Sequence, residues 1–155
     1  MSRRPLPPPP ARAVRDVSVP PYARILRPVL LDTHALIWWV TGDERLPAAV
    51  RALLAAPRRE AHVSVASAYE IILKVRRGKL ANAELLASDF AYICAVEQFT
   101  VLPLALDHVQ LAARLPDHLR DPFDRLLVAQ SRLEGLQLVS GDRAMDAYGV
   151  DRLWS

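Results

Sequence analysis

The chain has 155 residues, 52% of them apolar, a formal charge of +3 and a single cysteine. That length supports one domain around one sizeable core and is short for two. A lone cysteine, Cys94, excludes an internal disulfide and a thiolate zinc cluster, and no apolar stretch approaches the ~20 residues of a membrane span, so a soluble, cytoplasmic protein is expected.

The charge is unevenly placed. Residues 1–28 hold six arginines (Arg3, Arg4, Arg12, Arg15, Arg24 and Arg27) against Asp16, a balance of +5, which leaves −2 for the remainder. The basic character therefore belongs to this leader and does not mark the rest as a basic nucleic-acid binder. Eight of the thirteen prolines also fall here, including Pro7 to Pro10. With so little to pack, residues 1–28 are expected to be disordered or polyproline-like, and no secretory apolar run follows their arginines. Deleting residues 1–27 is expected to leave folding intact; a large fall in melting temperature would refute this.

From Val29 the pattern alternates between short apolar runs and amphipathic stretches. Val29 to Leu31 reads as a buried strand, followed by a helix over His34 to Val40 that ends near Gly42. Pro47 opens a helix to about Ala56, His62 to Val65 is a second strand, and Ser67 to about Arg77 is a helix stopped by Gly78. Ala83 to Gln98 is predicted as one long helix with Leu86, Phe90, Ile93 and Val96 on its apolar face. Thr100 to Leu104 is a third strand, Asp107 to Leu115 and Pro122 to Glu134 are helices, and Leu136 to Val139 is a fourth strand. A short helix over Asp142 to Tyr148 and an edge strand at Arg152 to Trp154 complete the chain. Strands separated by helices favour an α/β sandwich with a mostly parallel sheet.

Four acids fall where an apolar run gives way to a helix start: Asp32, Glu70, Asp124 and Asp142. In open parallel sheets, sites form beyond the carboxyl ends of the strands. If the first and fourth strands are neighbours, all four acids reach one cleft, and carboxylates gathered from separate elements suit a hard divalent cation. Each acid also has an ordinary role. Ser67 to Glu70 matches a capping box, Asp121 followed by Pro122 fits an N-cap with proline at N1 and Asp124 at N3, and Asp32 and Asp142 fit simple N-caps.

The runs Leu30-Leu31-Asp32-Thr33-His34-Ala35-Leu36-Ile37-Trp38-Trp39, Ser64 to Lys74 and Arg120 to Gln130, with Leu138 to Arg143 and then Tyr148-Gly149-Val150 and Trp154, together resemble the PIN-domain family, in particular its VapC-like toxins. The resemblance spans residues 29 to 155 and has no counterpart for the leader. It implies a three-layer α/β/α sandwich and a ribonuclease using Mg2+ or Mn2+, the toxin of a toxin–antitoxin pair that forms dimers and hetero-oligomers with its antitoxin. By motif, Asp32, Glu70, Asp124 and Asp142 become the acidic quartet, with Asp32 and Asp142 the first choices for direct metal ligands. Asp121 is favoured as a cap. The chain departs from the commonest pattern at Leu119, where a second histidine is frequent, and at Ser140-Gly141, where threonine and arginine are frequent. Ser140 keeps a hydroxyl near the site and is a candidate substrate contact, whereas Gly141 removes a phosphate contact.

Substrate contacts are marked more weakly. Lys74, Arg76, Arg77 and Lys79 form the densest basic group and suit phosphates beside the cleft, or equally a dipole-favoured helix end in which Lys74 pairs with Glu70 at i+4. Arg125 and Arg143 each follow a site acid and either orient it or meet RNA. Trp38 and Trp39 are expected to pack in the core or a dimer interface rather than stack on bases. His34, His62, His108 and His118 lack metal-ligand spacing, and Cys94 reads as a small buried apolar residue. The competing reading is a catalytically silent PIN-like module that binds an antitoxin and nucleic acid. A phosphatase is disfavoured because no second aspartate follows Asp32 at two residues.

Overall fold

The computed structural model describes residues 27–155. Five strands form one sheet in the order β3-β2-β1-β4-β5, where β1 is Val29–Leu31, β2 Ala61–Ser64, β3 Thr100–Leu102, β4 Gln137–Val139 and β5 Arg152–Leu153. Every pairing is parallel, with Leu31 level with Val63 on one side and with Val139 on the other. The first and fourth strands are thus neighbours, and all five carboxyl ends face one edge.

Helices cover both faces, because successive side chains of a strand point to opposite sides. Val29 and Leu31 turn into a core shared with helix α1 (Thr33–Thr41), α2 (Ala48–Ala55), α3 (Val65–Arg76), α4 (Glu84–Ser88) and α5 (Phe90–Val96). Leu30 turns the other way, into a core completed by α7 (Pro122–Glu134) and the 3-10 helix Arg143–Tyr148, with α6 (Leu106–Arg114) packed along α7. The fold is therefore the expected three-layer α/β/α sandwich with an all-parallel sheet. Buried leucines such as Leu30 and Leu138 contribute about 1.5–3 kcal/mol each.

Two expected elements differ. The helix foreseen over Ala83 to Gln98 is broken at Asp89, whose φ of −142° and ψ of 45° are not helical. Leu86 and Ile93 stay buried across the break, but Val96 is exposed, so it does not belong to the apolar face. The helix foreseen from Ser67 begins earlier, at Val65, with the Ser64 side chain accepting from the Ala66 N–H. Ser67 is therefore inside α3, and the expected Ser67–Glu70 capping box does not form.

Residues 1–26 lie outside the described residues, so the expectation for the leader is addressed only at its end. There Arg27 pairs with Asp151, and the Pro28 carbonyl accepts from the Gln137 N–H at 3.0 Å. Among the described residues, no helix is long and apolar enough to cross a membrane.

Candidate functional site

The carboxyl edge of the sheet carries the acids, and local physics explains how each is held. Asp32 follows Leu31 directly, and its backbone N–H continues the ladder to the Val139 carbonyl at 2.9 Å. Its Oδ1 accepts the Ala35 N–H at 2.7 Å, capping α1. Asp32 is thus an N-cap, and it is buried. Burial raises its carboxyl above the ordinary range; hydrogen bonds from Ser140 and Ala35 and the nearby His34 work against that rise, and Glu70 adds to it.

Ser140 links two of the acids. Its hydroxyl helps to hold the Asp32 carboxyl down and accepts the Asp142 N–H at 3.1 Å, with the residue wholly buried. Its geometry makes it a positioning residue for the acids rather than a group open to substrate. Ser140→Ala is expected to cost about 1 kcal/mol of stability by removing the acceptor of the Asp142 N–H. Chemical denaturation of the two proteins side by side measures this.

Glu70 points inward from α3. The Thr33 hydroxyl donates to its Oε1 at 2.7 Å and lies 3.1 Å from the Ser67 hydroxyl. Lys74 pairs with the other carboxylate oxygen, one turn along the helix. Burial works against the Lys74 charge, yet Glu70, Asp121 and Asp124 outweigh it and raise its pKa. Of the two readings of Lys74, the ion pair is the one present. Arg76 and Arg77 are exposed at the far end of α3, about 9 Å along the axis from Glu70 at 1.5 Å per residue.

Asp124 completes the set from the first turn of α7, which Asp121 caps by accepting the Phe123 N–H at 2.8 Å. Its carboxyl is pushed up to about 7 by burial first, then by Asp121, Glu70, Asp32 and Asp142. Three chain-distant members of the expected quartet thus contribute to the rise in the fourth, after burial and Asp121. Asp142 is exposed and caps the 3-10 helix, its Oδ1 accepting the Ala144 N–H at 2.9 Å. The acids are not drawn into a tight cage: among the described residues, no three His, Cys, Asp or Glu side chains stand at metal-holding spacing. The donor set nevertheless fits a hard cation. It is all carboxylate oxygen, and Mg2+ keeps several waters and needs few direct protein ligands.

Other expectations resolve here. Arg125 does not orient Asp124; its guanidinium donates to the carbonyls of Ala112, Leu115, Pro116 and Leu119 and ties the α6–α7 connection together. His108 is a core residue, its Nδ1 accepting the Ala105 N–H at 3.0 Å and its Nε2 2.6 Å from Glu134. Burial pushes the Cys94 thiol up to about 11, which suits an apolar packing role. Sequence reasoning missed two groups. Thr33 holds Glu70 from 37 residues away, and Arg45 lines a cavity of about 370 Å3 together with Asp32 and Asp142. Neither has a local sequence signal, because both act through the fold.

An all-parallel sheet between two helical layers defines an α/β/α sandwich, with Asp32 and Asp142 lining one cavity at its carboxyl edge. The chain belongs to the PIN domain family, whose model matches residues 29–151. Its fold is similar to a chain of a toxin–antitoxin complex from Klebsiella pneumoniae, with a TM-score of 0.54 and 18% identity over 81% of this chain and 95% of that one. It is similar also to a chain of FitAcB from Neisseria gonorrhoeae, with a TM-score of 0.57 and 18% identity over 81% and 96%. A chain of FitAB bound to an IR36 DNA fragment gives a TM-score of 0.59 and 18% identity over 81% and 93%. Comparison with curated protein sequences finds no match.

Proposed function

We propose that this protein is a metal-dependent endoribonuclease, the toxin of a toxin–antitoxin pair, with Asp32, Glu70, Asp124 and Asp142 as its acidic site. The observation that carries the reading is that Asp32 and Asp142 line one cavity at the carboxyl edge of the sheet, with the Asp124 carboxyl raised to about 7 by burial first and then by Asp121, Glu70, Asp32 and Asp142. Membership of the PIN family and a fold shared with a chain of a toxin–antitoxin complex support it.

Asp32 and Asp142, joined through Ser140, would hold Mg2+ or Mn2+, with Glu70 and Asp124 completing the shell or orienting water. Such a cation, when bound, supplies Lewis acidity: it lowers the pKa of water and offsets charge on the phosphate oxygens. The chain's own part is positional. Ser140 and Thr33 fix two carboxylates, Lys74 balances one of them, and burial keeps the local dielectric low, so that each charge acts strongly on a bound phosphate. Purified protein is expected to cut RNA with Mg2+ or Mn2+ and to stop with EDTA.

A second reading, a silent module that binds an antitoxin and nucleic acid, is favoured by the engagement of Glu70 with Lys74 and by the open spacing of the acids. Absence of turnover with either metal would select it.

The partners follow the same reading: an antitoxin, RNA as substrate, and a second copy of the chain. Val65, Tyr69 and Ile72 are exposed along α3, and the Tyr69 ring meets Phe123 of α7 edge-on at 5.6 Å. This apolar face suits a homodimer. Tyr69→Asp is expected to weaken self-association at least about tenfold, since it places a charge in an apolar contact. Sedimentation equilibrium of the two proteins measures it, and an unchanged constant would remove this face from the dimer.

A further inference from the structure

The cavity shared by Asp32 and Asp142 is larger than an ion site needs. At about 370 Å3 it has room for roughly a dozen waters at ~30 Å3 each. Trp38 of α1 and Trp154 at the chain end both line it. Their ring centroids stand 5.8 Å apart with the planes tilted by 53°, so the two indoles are not stacked on each other. The His34 ring lies 5.6 Å from Trp38. The Arg45 guanidinium sits over the Trp38 ring at 4.8 Å, held by two bonds to Asp43 at 3.0 and 2.7 Å.

Gly141 explains why Trp154 can be there. A Cβ at that position would lie 3.0 Å from two ring carbons of Trp154, so a larger residue would require the indole to give by a few tenths of an ångström. The lost side chain at 141 thus makes space for an aromatic wall, and Arg45 brings a cation to the same cavity from the α1–α2 connection. Trp39, the neighbouring indole, is committed elsewhere: it packs near Phe99 and its Nε1–H donates to Glu97 at 2.7 Å.

Aromatic rings with a cation at one side and carboxylates at the other suit a ligand that carries a flat ring next to a phosphate. We propose that this cavity receives one unpaired nucleobase of single-stranded RNA, flanking the phosphate presented to Asp32 and Asp142. The proposal rests on the ribonuclease reading above and names its substrate as single-stranded, since a base held in a duplex cannot leave its stack without further cost. Stacking on aromatic side chains tolerates any base, so the subsite supplies grip more than sequence choice.

The test is intrinsic tryptophan fluorescence of the full chain with Mg2+, mixed in a stopped-flow with a short single-stranded oligoribonucleotide so that binding is read before turnover. Saturable quenching is expected, with an oligomer lacking its bases binding about 5- to 150-fold more weakly. Trp38→Leu and Trp154→Leu should each lower affinity within that range and raise KM with kcat changed less than about threefold. Trp38→Phe, which keeps a ring, should recover most of it, and Trp39→Phe should leave the quench in place. Equal binding of the base-free oligomer, or a Trp38→Leu protein that binds and cuts like wild type, would overturn the subsite. Cleavage with base-independent binding would defeat the subsite and leave the nuclease standing, whereas base-dependent quenching without cleavage would defeat the nuclease and leave the subsite standing.

Discussion

Asp32→Asn is expected to reduce metal-dependent RNA cleavage by about 100- to 1,000-fold, equivalent to about 3–4 kcal/mol of lost transition-state stabilisation. The size follows from the position. Asp32 is buried at the end of β1, joined by Ser140 to the backbone of Asp142, and its charge is the part that an amide removes. Fold loss does not explain such a result, because asparagine is as good an N-cap as aspartate and its amide oxygen can still accept the Ala35 N–H that Oδ1 accepts now. Removing a desolvated charge should hold or raise the melting temperature. Cleavage kinetics and thermal unfolding on the same preparations separate the two effects. Turnover within about threefold of wild type, with the same response to EDTA, would exclude Asp32 from the chemistry.

Much of this arrangement is legible in the sequence because it rests on local rules. Val29 to Leu31 and Leu136 to Val139 are apolar runs bounded by residues that cap helices, and such runs become buried strands. Asp32 and Asp142 stand one and three residues beyond those strands, so a parallel pairing of β1 with β4 suffices to bring them together. What escapes reading is decided by choices that local pattern leaves open. Ser64 and Ser67 both offer a hydroxyl three residues before a helical position, and only the β2 ladder, which ends at Ser64, settles which one caps α3. The break at Asp89 is hidden because Leu86 and Ile93 remain buried on either side of it, so the apolar period runs through a residue that is not helical. The pairing of Thr33 with Glu70 and the seat of Trp154 on Gly141 join residues 37 and 13 positions apart. They exist only once the sheet has closed. The same is true of Arg45, which lines one cavity with Asp32 and Asp142.

Without divalent metal, the stability of the protein is expected to fall as pH rises from about 4 to about 7, and Asp124→Asn is expected to remove most of that slope. The Asp124 carboxyl titrates near 3.8 in the unfolded chain and near about 7 in the fold. Between those values the folded state keeps a proton that the unfolded state has released, so unfolding gains with every increment of pH and the loss is complete above about 7. Burial is the leading cause, followed by the negative fields of Asp121, Glu70, Asp32 and Asp142; the raised Asp32 carboxyl adds in the same direction. Because Asp124 is half-buried and partly screened, the effect should be about 1–2 kcal/mol, less than the full shift would give. The variant should therefore be more stable than wild type at pH 8 and nearly equal at pH 4. Added Mg2+ should stabilise wild type at pH 8 through preferential binding to the folded state and should stabilise the variant less. Melting curves at pH 4, 6 and 8, with and without Mg2+, decide the matter. Parallel pH profiles for the two proteins would mean that the carboxylates at the sheet edge do not repel one another enough to need a cation, and the acidic cleft would then be an assembly of helix caps.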